Sequence, residues 1–369
     1  MDIAQTLKDA VAAGDVPGVA AAAASDGGMI FEGGAGGLKP DSVIWIASMT
    51  KAITGAAAMQ LVEQGKLALD APAADVVPEI ADKQVLVSIG ADGTVKTRPP
   101  RRPITLRHLL THTSGMGYDT WDAKIARYVQ VTGIPKPASR QVLATPLLFD
   151  PGEHWEYSIS IDWAGLMVEA VSGMKLDRYM KENLFDPLGM ADTGFKIGPA
   201  QRSRKAAVHI RKEGGGFTAT DHELDQNPEV FMGGGALYST VNDYLKFTRA
   251  LLAGGGLILR PATVVLMSVN SMADGVLCRP LKTQLPNRST DMDFVDGMKW
   301  GLTFMINPTA FPGRRAANSL TWGGLANSYY WIDPVKKVTG VWATQLLPFY
   351  DARAVAKFED FERGVYAAL

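Results

Sequence analysis

Ser48 and Lys51 stand three residues apart in the stretch WIASMTKAIT, residues 45–54, in which nothing else is charged. On a helix this spacing places a hydroxyl and an amine one turn apart on one face. Burial disfavours the charged form of a lysine, so an amine in an apolar run is costly as structure and useful as a base. A neutral amine there can take the serine proton and turn the hydroxyl into a nucleophile. A helix N-terminus at Ser48 would also favour an oxyanion beside it. The motif alone leaves open a lysine that snorkels from a half-exposed helix. The same spacing recurs at Ser172 and Lys175, but it straddles Gly173, a helix-stop signal, so Lys175 reads as a solvated side chain.

Other chemistries fit less well. No G-x-S-x-G pentapeptide occurs, and the nearest stretch, HTSGM, lacks the first glycine. His108 and His112 have metalloprotease spacing, but Leu109 stands where the glutamate belongs. The remaining histidines, His154, His209 and His222, are scattered, and no metal is expected. The glycine runs at 33–37, 233–235 and 254–256 match neither a dinucleotide fingerprint nor a P-loop and read as turns. Cys278 is the single cysteine and reads as structural. Two further stretches can serve a serine nucleophile. Tyr157, in PGEHWEYSIS, sits on a loop at a helix start, although a core aromatic is the bland alternative. The TWGG stretch (321–324), followed by Leu325, carries glycines that let backbone N–H groups approach a substrate oxygen.

The elements that must position these residues follow from periodicity and turn signals. A helix over 2–14 precedes two strands, VAAAAAS and MIFEGG, and a third strand is expected at SVIWIA, 42–47. A helix runs from Ser48 to the Gly65 stop, and a hairpin over 85–98 closes at Asp92-Gly93. Helices are expected to end at Gly115 and at Gly173, and to run through LDRYMKENLFDPLG and STVNDYLKFTRALL, the last capped by Ser239 or Thr240. Late strands are expected at 300–307, 318–324, 328–333 and 338–344, followed by a C-terminal helix over 352–369. The expected organisation is a sheet domain from 1–47 and 232–369, a mainly helical domain from 48–231 with the hairpin as an insertion, and a site between them.

Composition narrows the partners. The chain has 369 residues, 47% hydrophobic and 20% charged, with a net charge of −1, so nucleic acid is not expected as a ligand. No apolar run approaches membrane-span length and the N-terminus lacks a basic leader, so a soluble, cytoplasmic protein is expected, with no membrane partner.

Ser48-x-x-Lys51, HLLTHTSG (108–115), PGEHWEYS (151–158), LFDPLGMADTGF (184–195), GGGALYSTVNDYLKF (233–247) and TWGG occur in an order that resembles the serine β-lactamase and penicillin-binding-protein superfamily. More narrowly the set resembles the family VIII carboxylesterases. The resemblance implies an α/β fold with an all-α lobe: an antiparallel β-lactamase-like sheet flanked by terminal helices, with an inserted helical domain. It implies that Ser48 is acylated, that Lys51 and Tyr157 share proton transfer, and that Trp322-Gly323-Gly324 stands for the third family motif. It also implies that the N–H of Leu325 joins that of Ser48 in an oxyanion hole. Two positions depart from the β-lactamase pattern: Ile159 replaces an asparagine and Trp322 a lysine. Both losses suit neutral esters better than penicillin acids. The expected activity is hydrolysis of neutral short-chain carboxylic esters through an acyl-enzyme, with no cofactor and a small-molecule ester as partner. Acyl transfer, β-lactam, D-peptide or amide hydrolysis, and a catalytically silent binding protein are the alternatives.

Overall fold

The computed structural model describes residues 2–133 and 138–369. Asp2 accepts hydrogen bonds from the N–H groups of Ala4 and Gln5 and starts α1 (Ile3–Ala12), whose buried face is Ile3, Leu7 and Ala10. Strands β1 (Val19–Ser25) and β2 (Gly28–Ala35) follow. Strand β3 (Ile44–Trp45) is shorter than SVIWIA suggests, because the chain coils into a 3-10 turn at Ala47–Met49 that leads into α2 (Thr50–Glu63). The expected hairpin forms from β4 (Val85–Ile89) and β5 (Val95–Arg98). Helix α3 (Leu106–Leu110) stops well before Gly115, and His112 turns out of it at φ 57°. Next come α4 (Ala123–Thr132), α5 (Ser160–Ser172), α6 (Leu176–Met180), α7 (Asp186–Leu188) and α8 (Pro199–Arg202). A π turn at Lys181–Phe185 joins α6 to α7, so LDRYMKENLFDPL is helical throughout.

The short strands β6 (His209–Arg211), β7 (Phe217–Ala219) and β8 (Tyr238–Ser239) precede α9 (Val241–Leu252), which Thr240 caps through the N–H of Asp243, and α10 (Pro261–Met267). The strand expected over 300–307 is two strands, β9 (Lys299–Trp300) and β10 (Met305–Ile306), because Gly301 and Thr303, at φ 80°, fold the chain back on itself. The chain closes with β11 (Leu320–Gly324), β12 (Ser328–Asp333), β13 (Val338–Ala343), β14 (Leu346–Leu347) and α11 (Ala352–Ala367).

One sheet holds seven strands in the order β2-β1-β13-β12-β11-β10-β9, and every neighbouring pair is antiparallel. Both ends of the chain build it, since β1 pairs with β13. Alternation along β12 shows what covers each face. Tyr329 and Trp331 pack on Phe358 of α11, whereas Tyr330, between them, packs on Tyr244 of α9. The sheet is therefore buried on both sides, and the alanines of β1 are completely buried because helices approach it closely. Gly340 leaves room for an indole: a Cβ there would meet Cη2 of Trp331 at 2.1 Å. No helix among the described residues is long and apolar enough to cross a membrane.

A buried ion pair ties the segment before β11 to α11. Arg315 meets Glu362 through two hydrogen bonds of 2.8 Å, with side-chain exposures of 6% and 0%. Arg314 Nη1 also stands 3.5 Å from Glu362, so losing Arg315 costs the carboxylate its two short hydrogen bonds but not its last cation. Arg315→Met should lower stability by about 1.5–3 kcal/mol, read as a fall in urea midpoint, and adding Glu362→Leu should recover most of the loss.

Candidate active site

The chain reaches Ser48 through a strained residue. Ala47 has φ 43°, the left-handed region that a side chain rarely adopts. This turn swings Ser48 into the first turn of a helix, where N–H groups lack intrahelical acceptors. The Gln345 side chain holds both backbone groups of Trp45 just before it, accepting from the N–H and donating to the carbonyl, and Tyr244 donates to the carbonyl of Met49 just after it. Lys51 is 1% exposed, which removes the snorkelling alternative. Its Nζ lies 3.2 Å from Ser48 Oγ, 3.2 Å from the Tyr118 hydroxyl and 2.6 Å from the Gly234 carbonyl oxygen. A carbonyl only accepts, so one N–H of Lys51 is committed to Gly234, leaving the other positions for two hydroxyls that can give or take a proton. The second S-x-x-K makes no such set: Ser172 donates to the Val168 carbonyl and Lys175 pairs with Glu169 at the surface.

The glycine run at 233–235 is the far wall of this arrangement. Thr54 donates to the Gly233 carbonyl at 2.7 Å, Trp45 Nε1 donates to the Gly235 carbonyl at 2.8 Å, and the Gly234 N–H donates to Asp162 Oδ1 at 2.7 Å. Asp162 is buried in the first turn of α5. Burial pushes its carboxyl up to about 6, against the opposing pull of Lys51 and of the Gly234 N–H.

Tyr157 comes beside Lys51, but not through its hydroxyl. Its ring centroid lies 4.7 Å from Lys51 Nζ, and its hydroxyl accepts from Trp322 Nε1 at 2.9 Å. The hydroxyl that meets Lys51 is that of Tyr118, which the sequence reading passed over. Burial, reinforced by the charge of Asp162, pushes the Tyr118 phenol well above its usual value, so it holds its proton as a donor. HLLTHTSG lies just upstream, yet no spacing rule links Tyr118 to a lysine 67 positions away. The stretches bearing the two tyrosines are stitched together by a buried chain, His112 Nδ1 to Ser158 Oγ (3.1 Å), Ser158 to Ser160 (2.5 Å) and Ser160 to Ser114 (2.7 Å). Burial keeps His112 neutral, and its ring packs on Tyr157 and Trp300.

A cavity of about 480 Å³ opens at Ser48. Ile159 and Leu325 line it together with Ser48, but Trp322, Gly323 and Gly324 do not. Trp322 lies behind Tyr157, and the glycines serve close packing. A Cβ on Gly324 would come within 2.4 Å of the Ile46 carbonyl oxygen, and one on Gly323 within 2.8 Å of the Tyr329 ring. That contact presses the end of β11 against the approach to Ser48 and sets Leu325 at the cavity wall. The rest of the lining is mainly apolar, with Ile125, Val129, Val142, Phe195, Val230 and Met232, but Asp119, His222, Glu223, Asp225 and Arg288 also border it. The hairpin borders a different space: Val95 and Thr97 line a second cavity of about 500 Å³ with Lys83. Lys83 donates to the carbonyls of Leu143 and Thr145, and so fixes a segment that forms part of the Ser48 cavity wall.

A family model described as Beta-lactamase matches residues 3–363. The chain belongs to the beta-lactamase family. It is 33% identical to a lovastatin esterase of Penicillium rubens over 88% of this chain and 85% of the relative. It is 31% identical to a monacolin J acid methylbutanoyltransferase of Aspergillus terreus over 89% of this chain and 83% of the relative. A structure of simvastatin synthase (LovD) from Aspergillus terreus, a LovD6 mutant, superposes with a TM-score of 0.88 at 29% identity, covering 99% of this chain and 96% of that one. The protein is thus a beta-lactamase-like enzyme of the serine hydrolase and acyltransferase type, working through an acyl-enzyme.

Glu156, next to Tyr157, has a buried Oε1 with no partner among the described residues. Burial, then the charge of Asp122, pushes its carboxyl from 4.5 up to about 8. The folded state holds a proton there that the unfolded chain releases from 4.5 upward, so this group costs stability as pH rises from about 4.5 to about 8. Glu156→Gln should therefore raise the melting temperature above pH 8 and change little below pH 4. Paired thermal melts across that range check the divergence.

Proposed function

We propose that the protein cleaves carboxylic esters with one bulky, largely apolar half, by acyl transfer through Ser48. The observation that carries this reading is the largely apolar cavity of about 480 Å³ that opens at Ser48, whose hydroxyl lies 3.2 Å from Lys51 behind it. Spaces of that size suit drug-sized ligands, so the expectation of short-chain esters gives way to a substrate with a large alcohol or acyl group. Ser48 Oγ attacks the ester carbonyl while Lys51 takes its proton. The Tyr118 hydroxyl, on the other side of the same amine, gives its proton to the leaving alcohol and takes up the one that Lys51 received from Ser48, so amine and phenol both end as they began. The N–H groups of Ser48 and Leu325 receive the oxyanion. Water then attacks the acyl-enzyme by the reverse proton path. Tyr157 supports the pair from beneath, its ring against Lys51 and its hydroxyl held by Trp322. With Ile159 and Trp322 in place of the polar β-lactamase residues, penicillin acids should turn over slowly or not at all. A second reading, transfer to an alcohol in place of water, is favoured by the relative named a methylbutanoyltransferase.

Mass-spectrometric product analysis with and without an added polycyclic alcohol separates the two acceptors. Esters of bulky apolar alcohols should show a higher kcat/KM than their ethyl counterparts, and the reverse order would count against the reading. Ser48→Ala should cost about 10⁶-fold in kcat, as for other serine nucleophiles, while Ser172→Ala leaves activity intact.

The tyrosines should separate by their stability effects. Tyr118→Phe should lower kcat by about 10²–10⁴-fold, the range of a general acid–base group, at an unchanged melting temperature. Tyr157→Phe should lower the melting temperature as well, because it leaves the Trp322 N–H buried without a partner.

A further inference from the structure

We infer that Asp162 is a positioning residue for acyl transfer: by holding the N–H of Gly234 it fixes in place the glycine whose carbonyl aims Lys51 at Ser48. This rests on reading Ser48 and Lys51 as the nucleophile and its base. The chain of contacts is short and buried. Asp162 Oδ1 accepts from the Gly234 N–H at 2.7 Å, and the Gly234 carbonyl accepts from Lys51 Nζ at 2.6 Å. Lys51 has a long flexible stem and three rotatable donors. Without a fixed acceptor its Nζ can rotate away from Ser48 Oγ, which lies at 3.2 Å. The Gly234 N–H and carbonyl belong to successive peptide units: Thr54 holds the first through the Gly233 carbonyl, the Gly235 N–H holds the second by donating to the Met232 carbonyl at 3.2 Å, and Asp162 is the side chain that pins the glycine between them. Glycine at 234 is part of the device: a Cβ there would meet Asp162 Oδ2 at 2.7 Å, Oδ1 at 3.0 Å and Cγ at 3.1 Å. The alternative is that Asp162 serves only the start of α5. A helix-start role predicts lost stability, not a slower serine at constant fold.

Labelling of Ser48 by a p-nitrophenyl phosphonate, followed by mass spectrometry, reads nucleophile activation directly. Asp162→Ala should slow labelling and lower kcat by about 100-fold, the scale of a misplacement near 1 Å, with KM changed far less. Asp162→Asn keeps an oxygen for the Gly234 N–H and should recover most of the rate. Gly234→Ala disturbs the same contact from the other side and should slow labelling similarly. In the Asp162→Ala background, Gly234→Ala should add less than about threefold, because groups acting as one unit do not add. The inference is overturned if folded Asp162→Ala or Gly234→Ala labels at the wild-type rate. It is equally overturned if Asn is as slow as Ala, or if the two losses multiply. If the wild-type protein labels at another residue, the functional reading itself fails, and this inference with it.

Discussion

The hydrogen bond from Lys51 to the Gly234 carbonyl is the constraint on which the site depends. A buried amine must find acceptors or pay heavily for desolvation, and an amine that serves as a base must also keep a direction free for the proton it receives. One bond of 2.6 Å to a backbone oxygen meets the first need without occupying the serine. The remaining valence of the nitrogen then meets Ser48 and Tyr118, groups able to exchange protons in either direction. The surrounding features make that single bond possible. The left-handed turn at Ala47 aims the serine, the glycine run lets the carbonyl come close, and α9 braces the helical turn through Tyr244.

Close approach recurs as the means of assembly. Gly324 packs against the Ile46 carbonyl, Gly234 against Asp162 and Gly340 under Trp331, and each contact leaves no room for a methyl group. Glycine backbone thus meets a carbonyl, a carboxylate and an indole at distances that admit no side chain, and these close contacts set the active-site turn, the glycine run and the sheet. A site that needs a nucleophile, a base and two N–H donors within a few ångströms gains from such rigid supports. Beyond them the cavity is largely apolar, with charged side chains such as Glu223 and Arg288 at its border.

The site also accepts costs. Burial pushes up the carboxyls of Asp162, close to Lys51, and of Glu156, next to Tyr157, and Ala47 sits in a strained region. These are unfavourable in isolation and persist because the packed sheet and the aromatic cluster of Tyr157, Trp300 and Trp322 around them are stable enough to hold them.

What the sequence by itself determined is local. The Ser48–Lys51 spacing, the Thr240 cap, the Gly173 stop and the buried alanine strand each depend on neighbours within a turn or two, where propensity and periodicity act. The ordered motifs also pointed to the family, because their order survives in one dimension. Tertiary structure decided which hydroxyl meets the lysine. Tyr118 and Gly234 lie 67 and 183 positions from Lys51, and only the packing of the helical lobe against the glycine run brings them together. The same holds for Trp322, whose indole turned from the cavity to Tyr157, and for the run 300–307, which read as one strand and folded as two. It holds for the cavity too: residue types at Ile159 and Trp322 suggested neutral esters, but the size of the space at Ser48 is set by side chains from distant segments. A hydrogen bond or a cavity wall is a property of atoms in contact, and contacts between remote segments are fixed by how all the layers pack at once.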